Sequence, residues 1–400
     1  TIRMELKKIK ELVTVGSGDL IGTSLSAIFW FFLASQIEPN AYGQLQWFIA
    51  IAGILSSVAL IGNVSTITVY VSKNIPIQSA LNFISLLASA ILALIVIILF
   101  PSFNVIDSGI LLVAYVINSL AVGDLLGRKQ FREYSKYTIV QKGLTLGLGF
   151  LFYYLFGYEA ILFALVLTYV LHYKRIISIF QQVRINFGLL REKKGFIVNN
   201  YLSSSLLFGA IGTGHIDKII IVPLLGFTLL GNYSLGLQMI GVMMMFTNVF
   251  YKYVLTQDAS NIDVKNLKIL AVIISILLAF LGMFLGPIFI DLYFPKYVDT
   301  KIAIQIMSIS VIPATIGQIY QSQLLGSERS KVVLIGTIFS ITGLTVSMIV
   351  LGLSLGMIGL AYSLVISSII KAGFFVFVSR TNIMQTRDYD TKKGKNDESL

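Results

Sequence analysis

The chain has 400 residues, of which 56% are hydrophobic and only 12% are charged, and its mean hydropathy is +0.85. Because a soluble globular protein has about 25% charged residues, this composition excludes an ordinary soluble fold. The absence of cysteine excludes disulfides and thiolate chemistry, and two histidines are too few for a histidine-built metal centre. We therefore expect neither a metal site nor a cofactor. The net charge of +11 does not by itself indicate a partner, because the positions of the basic residues along the chain decide its meaning.

Apolar segments long enough to cross a hydrocarbon layer of about 30 Å follow one another along the chain. Residues 80–100, for example, include no charged residue. Proline and glycine mark the short loops between the segments. This pattern predicts an all-α polytopic membrane protein with about twelve transmembrane helices. The predicted spans are 12–37, 42–72, 79–100, 105–127, 137–156, 159–180, 197–223, 230–254, 267–290, 302–325, 332–353 and 356–379.

The basic residues are concentrated in alternate connections. If the N-terminus is cytoplasmic, 25 of the 30 basic residues lie in cytoplasmic segments, and the outer loops hold only Lys296 and Lys301. By the positive-inside rule, this asymmetry predicts cytoplasmic N- and C-termini in a multi-pass protein of the cytoplasmic membrane. The net charge then reflects topology, and nucleic acid is not an expected partner.

Six predicted spans lie on each side of the longest connection. We expect a cytoplasmic N-terminus (1–11), an N-terminal six-helix bundle (12–180), a cytoplasmic linker (181–196), a C-terminal six-helix bundle (197–379) and a disordered cytoplasmic tail (380–400). The apolar spacing over 176–190 predicts a short interfacial helix between the two halves.

The two halves show a faint internal repeat. At an offset of 188, residues 42–45 (YGQL) fall over 230–233 (LGNY), and Gly53 falls over Gly241. At an offset of 199, residues 124–128 (DLLGR) fall over 323–327 (QLLGS). Together the two matches favour a parallel repeat, an arrangement common in transporters, and hence two pseudo-symmetric six-helix bundles with substrate between them.

Three segments carry a family resemblance: residues 38–45 (EPNAYGQL), 120–134 (LAVGDLLGRKQFREY) and 217–235, which begins DKIII and ends LGNYSL. Through them the chain resembles the polysaccharide-biosynthesis membrane proteins, flippases of lipid-linked oligosaccharides in the multidrug/oligosaccharidyl-lipid/polysaccharide (MOP) exporter superfamily. The resemblance implies a MATE-like fold and export of an isoprenoid (pyro)phosphate-linked oligosaccharide by alternating access, for surface polysaccharide or glycan biosynthesis. It also implies membrane lipids, a coupling H⁺ or Na⁺, and glycosyltransferases or a polymerase of the same pathway as partners. Arg and Lys are usual in the family's cavity but sparse here.

Ionisable residues inside the predicted spans require an explanation, because each costs about 2.5–3.5 kcal/mol on insertion scales. Asp217 is the most informative, with His215 and Lys218 beside it. Since consecutive helical residues point about 100° apart, Asp217 and Lys218 cannot share one face. Asp217 either lines the cavity or forms a structural pair between helices.

The other candidates for the cavity also have an ordinary structural reading. Asp19 is either a cavity carboxylate or an interhelical hydrogen-bond acceptor. Lys142 either binds phosphate or extends to the cytoplasmic headgroups, and the same two readings apply to Lys371. Asn63, Asn118 and Gln318 suit a sugar path but equally suit helix-to-helix hydrogen bonds. For Asp124 we expect a local pair with Arg128.

Rival functions differ in what they require of the sequence. A cation-coupled multidrug or small-molecule exporter of the same superfamily is the main alternative. It requires a cluster of carboxylates in one half, and Asp19 is the sole acid of the N-terminal half that lies clearly inside a predicted span. A membrane glycan polymerase or glycosyltransferase requires a long outer loop, and no predicted outer loop exceeds roughly ten residues. An ATP-driven pump within this chain would require a G-x-x-x-x-G-K-[ST] motif, which is absent. We therefore expect a transporter and not an enzyme.

Overall fold

The computed structural model describes residues 2–99, 103–182, 185–202, 215–258, 264–326 and 329–397. These residues are helical almost throughout, with no β-strand among them, so the predicted all-α polytopic fold is confirmed. The helices are α1 (Ile2–Gln36), α2 (Pro39–Ala59), α3 (Val64–Ser72), α4 (Gln78–Leu99), α5 (Phe103–Gly127), α6 (Phe131–Phe156), α7 (Ile161–Tyr169), α8 (Tyr173–Gln182), α9 (Phe187–Glu192), α10 (Lys194–Asn200), α11 (Ile216–Asp258), α12 (Lys265–Tyr293), α13 (Val298–Ile309), α14 (Val311–Gly326), α15 (Ser330–Leu355) and α16 (Met357–Asp397).

Within the described residues, eleven helical segments are long and apolar enough to cross a membrane. The difference from the predicted twelve lies at spans seven and eight, where α11 forms one segment but has a non-helical residue, Gly226, at φ 84° and ψ 175°. Predicted span eight therefore corresponds to the part of α11 after Gly226. Residues 203–214 of span seven lie outside the described residues.

The single span predicted over 42–72 is two helices in the structure. Asn63 Oδ1 accepts the backbone N–H of Thr66 at 2.8 Å and caps the first turn of α3. The backbone N–H of Gly62 donates to Ser85 Oγ of α4 at 2.9 Å. The side chains of Asn63 and Ser85 thus satisfy backbone N–H groups at the break between α2 and α3.

Two further segments differ from expectation. The amphipathic helix predicted over 176–190 is α8, with Ile176 and Ile179 buried and Ile177 exposed, and α9 follows as a separate short helix. At the other end of the chain, α16 continues to Asp397, although disorder was expected over 380–400. Extending an existing helix through a segment without proline avoids the cost of a new helix nucleus.

The chain divides into two compact units, Thr1–Gln238 and Met239–Leu400. In the first unit, α5 is the central helix, since α2, α3, α4, α6, α7 and α8 all pack on it, while α1 packs on α6. Its core includes Ile67, Leu81, Val116 and Leu120, each fully buried. The proposed six-helix division at the linker 181–196 stays a prediction.

In the second unit, α16 packs on α13, α14 and α15, and α12 packs on α13 and α14. One face of α12 exposes Ile273, Leu277, Phe284 and Ile288, each more than half accessible. These residues recur at helical spacing, and apolar side chains of this size are stable on a surface that contacts lipid. The surface of this unit is thus consistent with a location in a bilayer.

Candidate functional site

A buried carboxylate lies where α11 begins. Because α11 starts at Ile216, Asp217 is in its first turn, and only 3% of Asp217 is exposed. Its Oδ1 accepts the backbone N–H of Lys218 at 2.8 Å, and its Oδ2 accepts the hydroxyl of Tyr233 at 3.1 Å. The positive end of the helix dipole also favours a carboxylate in a first turn. Both oxygens of Asp217 therefore have a donor inside the first unit.

The contact with Tyr233 depends on the non-helical turn in α11. Asp217 and Tyr233 are 16 residues apart, and a straight helix would separate them by about 24 Å. The conformation of Gly226, with φ 84°, interrupts the helix between them and allows the chain to fold back. A side chain is rarely tolerated at this φ, so the geometry of the carboxylate depends on this glycine.

Lys218 reaches a different helix. Its Nζ donates to Gln46 Oε1 of α2 at 2.8 Å, and it has no ion pair among the described residues. Asp217 and Lys218 therefore have different side-chain partners, as their separation around the helix predicts. The ammonium of Lys218 therefore contacts a neutral amide, with the carboxylate of Asp217 as its charged neighbour in the chain.

His215 completes this group, and we call Gln46, His215, Asp217, Lys218 and Tyr233 the Asp217 cluster. A Cβ atom on Gly53 of α2 would lie 2.6 Å from His215 Nε2, so the imidazole occupies space that only glycine leaves open. The Nδ1 atom of His215 is buried and has no hydrogen-bond partner among the described residues. The cluster thus brings together a carboxylate, an imidazole and an ammonium group from α11 and the residue that precedes it, next to Gln46 of α2.

A second polar group joins α1, α6 and α7. Tyr134 donates its hydroxyl to Asp19 at 2.8 Å. Lys142 Nζ lies 3.2 Å from Tyr169 Oη and 5.4 Å from the centroid of the same ring, a cation–π distance. The lysine ammonium therefore contacts an aromatic ring of another helix. Asp19 and Lys142 belong to this group and not to the Asp217 cluster.

The three predicted amide side chains have different surroundings. Asn63 caps α3 and also donates to the carbonyl of Asn200 at 3.1 Å, which is a structural role. Asn118 of α5 is partly buried, and its Oδ1 has no partner among the described residues. Gln318 of the second unit donates to Asn248 at 2.7 Å.

Gln46 and Tyr233 are the members of the Asp217 cluster that the sequence analysis did not select. Gln46 is a polar residue inside a predicted span, which is a usable signal. Tyr233 was noted only as part of the repeat. Its contact with Asp217 follows from the turn at Gly226. No sequence pattern predicts a hydrogen bond between two residues that are 16 positions apart in one helical segment.

Asp124 forms the predicted pair with Arg128, at 2.8 Å. It also pairs with Arg175 of α8 at 2.6 Å and accepts from Gln78 of α4 at 2.9 Å. The carboxylate is 1% exposed, so three helices converge on it. This network holds α4, α5 and α8 together.

The second unit has its own buried charges. Asp258 pairs with Lys268 at 2.6 Å and accepts the hydroxyl of Ser322 at 2.5 Å. Lys371 has its Nζ 6.0 Å from the centroid of the Phe375 ring and has no ion pair among the described residues. Lys371 is therefore a third in-span lysine with a neutral neighbour.

Among the described residues no group of three or more His, Cys, Asp or Glu side chains could hold a metal ion.

Comparison with known proteins identifies the fold. No family model matches the chain, and no curated protein matches it either. A solved structure of a multidrug resistance MATE family transporter of the MOP superfamily, in the inward-facing conformation, matches with a TM-score of 0.66 at 18% identity, covering 92% of this chain and 96% of that one. The outward-facing conformation of such a transporter matches with a TM-score of 0.62 at 17% identity, covering 95% and 96%.

A third similar structure is a MOP superfamily transporter from Pyrococcus furiosus, with a TM-score of 0.61, 16% identity and coverage of 94% and 96%. Its description states that a reversed polarity of the binding pocket suggests a different function. The fold of the present chain is thus that of the MATE transporters.

Proposed function

We propose that the chain is a membrane exporter of an isoprenoid (pyro)phosphate-linked oligosaccharide, working by alternating access in the cytoplasmic membrane with both termini inside. The fold supports transport, because solved transporters of this superfamily share it over more than nine-tenths of the chain. The sequence segments 38–45 and 120–134 support the oligosaccharide branch by resemblance. Glycosyltransferases or a polymerase of the same pathway would be its partners.

One observation carries the choice of an anionic substrate. Lys142, Lys218 and Lys371 lie in spans, and their described contacts are a tyrosine, a glutamine amide and a phenylalanine ring. Within the part of the chain that the structure describes, none of the three has a carboxylate at ion-pair distance. The Asp217 carboxylate beside Lys218 accepts from a backbone N–H and a tyrosine hydroxyl. An unpaired charge in a bilayer is unfavourable, so a phosphate arriving with its substrate supplies the missing counter-charge.

The experiment is transfer of a fluorescent lipid-linked oligosaccharide across reconstituted vesicles. The double variant Lys142→Gln/Lys218→Gln is expected to abolish transfer, because both cations of the first unit are lost. Each single change is expected to weaken transfer, and Lys→Arg at either position is expected to retain part of it. The matched control is Lys136→Gln/Lys174→Gln, which removes two exposed lysines. Transfer by the first double variant at the parent rate would overturn the proposal.

The cation-coupled exporter remains the second candidate because of one shared feature. Two carboxylates of the first unit, those of Asp19 and Asp217, each accept a hydrogen bond from a tyrosine hydroxyl, at 2.8 and 3.1 Å. A carboxylate that accepts from a neutral donor is a group that can gain and lose a proton or bind Na⁺. Export of a cationic dye driven by a pH or Na⁺ gradient, with no transfer of the lipid-linked oligosaccharide, would favour this function.

A further inference from the structure

A cavity of about 510 Å³ lies where α3 and α5 end, inside the first unit. It is partly open, and it is lined by two turns, one after each helix, together with the start of α4. Arg128 and Lys129 are its charged lining residues, and the described lining contains no acidic residue. The lining consists of Val71, Ser72, Asn74, Ile75, Pro76, Gln78, Gly127, Arg128, Lys129 and Gln130.

The charge around this cavity is unbalanced. Asp124, the carboxylate that pairs with Arg128, is buried and is shared by two guanidinium groups, those of Arg128 and Arg175. The ion pair of Arg128 uses its Nε atom, which leaves the two terminal nitrogens as donors. Lys129 is exposed and has no ion pair among the described residues. Among these four residues, the single negative charge of Asp124 is set against the three positive charges of Arg128, Lys129 and Arg175.

The backbone at Lys129 is an outlier that points to the same place. The two turns have the same geometry: the N–H of Gln130 bonds to the carbonyl of Leu125, and the N–H of Ile75 bonds to the carbonyl of Tyr70. Such helix ends require a left-handed residue, which is usually glycine and sometimes asparagine. Asn74 has φ 54°, but the second turn has lysine there, with φ 58°. Lysine therefore stands where glycine is favoured, and its side chain is among those that line the cavity.

We propose that this cavity binds a phosphate group, either in the headgroup of an anionic phospholipid or as a free phosphate compound. Arginine and lysine together suit this ligand, since a guanidinium donates two parallel hydrogen bonds to phosphate oxygens and the ammonium adds charge. By the positive-inside pattern both turns lie at the cytoplasmic surface, where basic pockets bind anionic headgroups. The site is separate from the Asp217 cluster and does not depend on the proposed export function.

The test measures binding to the purified full-length protein by native mass spectrometry and by the shift in its thermal midpoint. The probes are dioctanoyl phosphatidylglycerol, dioctanoyl phosphatidylcholine and inorganic phosphate. We expect the parent to prefer phosphatidylglycerol over phosphatidylcholine if the source is a lipid, and to bind inorganic phosphate comparably if the source is a soluble compound. The proposal would be overturned if the parent neither prefers phosphatidylglycerol over phosphatidylcholine nor binds inorganic phosphate.

Two variants separate a built site from general attraction. Arg128→Gln/Lys129→Gln is expected to weaken binding of the preferred probe by about tenfold or more, with Asp124 still paired to Arg175. The control Arg132→Gln/Lys136→Gln removes the same charge from exposed positions nearby and is expected to bind like the parent. Equal losses in the two double variants would overturn the proposal.

Lys129→Gly gives an independent readout. Glycine relieves the positive φ, so the thermal midpoint of the unliganded protein is expected to rise while binding of the preferred probe falls. A variant that merely unfolds would show the opposite change in midpoint. If Lys129→Gly binds the preferred probe as tightly as the parent, Lys129 has no part in a phosphate site and the inference fails.

Discussion

Gly43 of α2 and Gly231 of α11 lie in backbone contact. A Cβ atom on Gly43 would lie 2.9 Å from the backbone nitrogen of Gly231 and would collide with the carbonyl oxygen of Phe227. A Cβ atom on Gly231 would collide with the carbonyl oxygen of Pro39. The two glycines are 188 positions apart, as are Asn40 and Thr228, whose side chains are 3.3 Å apart. Residues related by the repeat offset therefore contact each other, as they would around a local two-fold axis.

Adding a single methyl group at this contact is expected to be strongly destabilising. In Gly43→Ala the new Cβ meets a backbone carbonyl, which cannot rotate away as a side chain would. We expect a loss of about 3 kcal/mol in the free energy of unfolding, at the upper end of overpacking costs. The measurement is the thermal or denaturant midpoint of the purified protein in one fixed detergent.

The matched control is Gly147→Ala in α6. No atom lies within 4 Å of a Cβ at that position, so alanine is expected to be neutral or to stabilise by up to about 1 kcal/mol through its helix propensity. Similar midpoints for the two alanine variants would mean that α2 and α11 do not contact each other through Gly43.

The sequence predicted most of the fold because a bilayer of given thickness requires apolar segments of matching length, and charged groups are stable in water outside it. Both requirements appear directly as long apolar runs. It did not predict the break of span 42–72 at Gly62 and Asn63. In an apolar run, hydropathy carries no information about a turn that is stabilised by Ser85 of another helix. The turn at Gly226 falls in the loop predicted between spans seven and eight, and the structure agrees there.

The candidate site was predictable only in part. Asp217, Lys218 and His215 were selected because charge and polarity inside a span are unfavourable without a partner. Their partners Gln46 and Tyr233 are ordinary residues, and only the fold brings them near. Asn63 illustrates the structural alternative, because a polar residue in an apolar run can also cap a helix.

Removing the charge of Asp124 is expected to destabilise the first unit. Asp124→Asn leaves Arg128 and Arg175 without their shared carboxylate, and breaking a buried ion pair costs about 3 kcal/mol or more. Glu133→Gln is the control, because Glu133 and Lys136 form an exposed pair at 3.3 Å whose loss changes stability by less than about 1 kcal/mol. Equal thermal midpoints for the two variants would contradict a stabilising role for the Asp124 network.

The predicted orientation is tested by reporter fusions that are active on one side of the membrane only. Fusions after Arg132, Lys193 or Lys395 are expected to report a cytoplasmic location, since the basic residues are concentrated there. Insertions into loops 38–40 and 295–299 are expected to report an outer location. A cytoplasmic signal from 295–299 would overturn the predicted topology of the second unit.

The last prediction separates a transport role of Asp217 from a structural one. Asp217→Asn has one acceptor oxygen for two donors, and Tyr233→Phe removes one of those donors, so each variant loses one hydrogen bond of the pair. We expect similar falls in stability, about 1–3 kcal/mol, and similar amounts of protein in the membrane. Only Asp217→Asn also removes the charge, so transport in reconstituted vesicles is expected to be lost in that variant and largely retained in Tyr233→Phe. If both variants transport equally well after correction for folded protein, Asp217 contributes to packing alone, and Lys218 and Gln46 are then the residues of the cluster to test next.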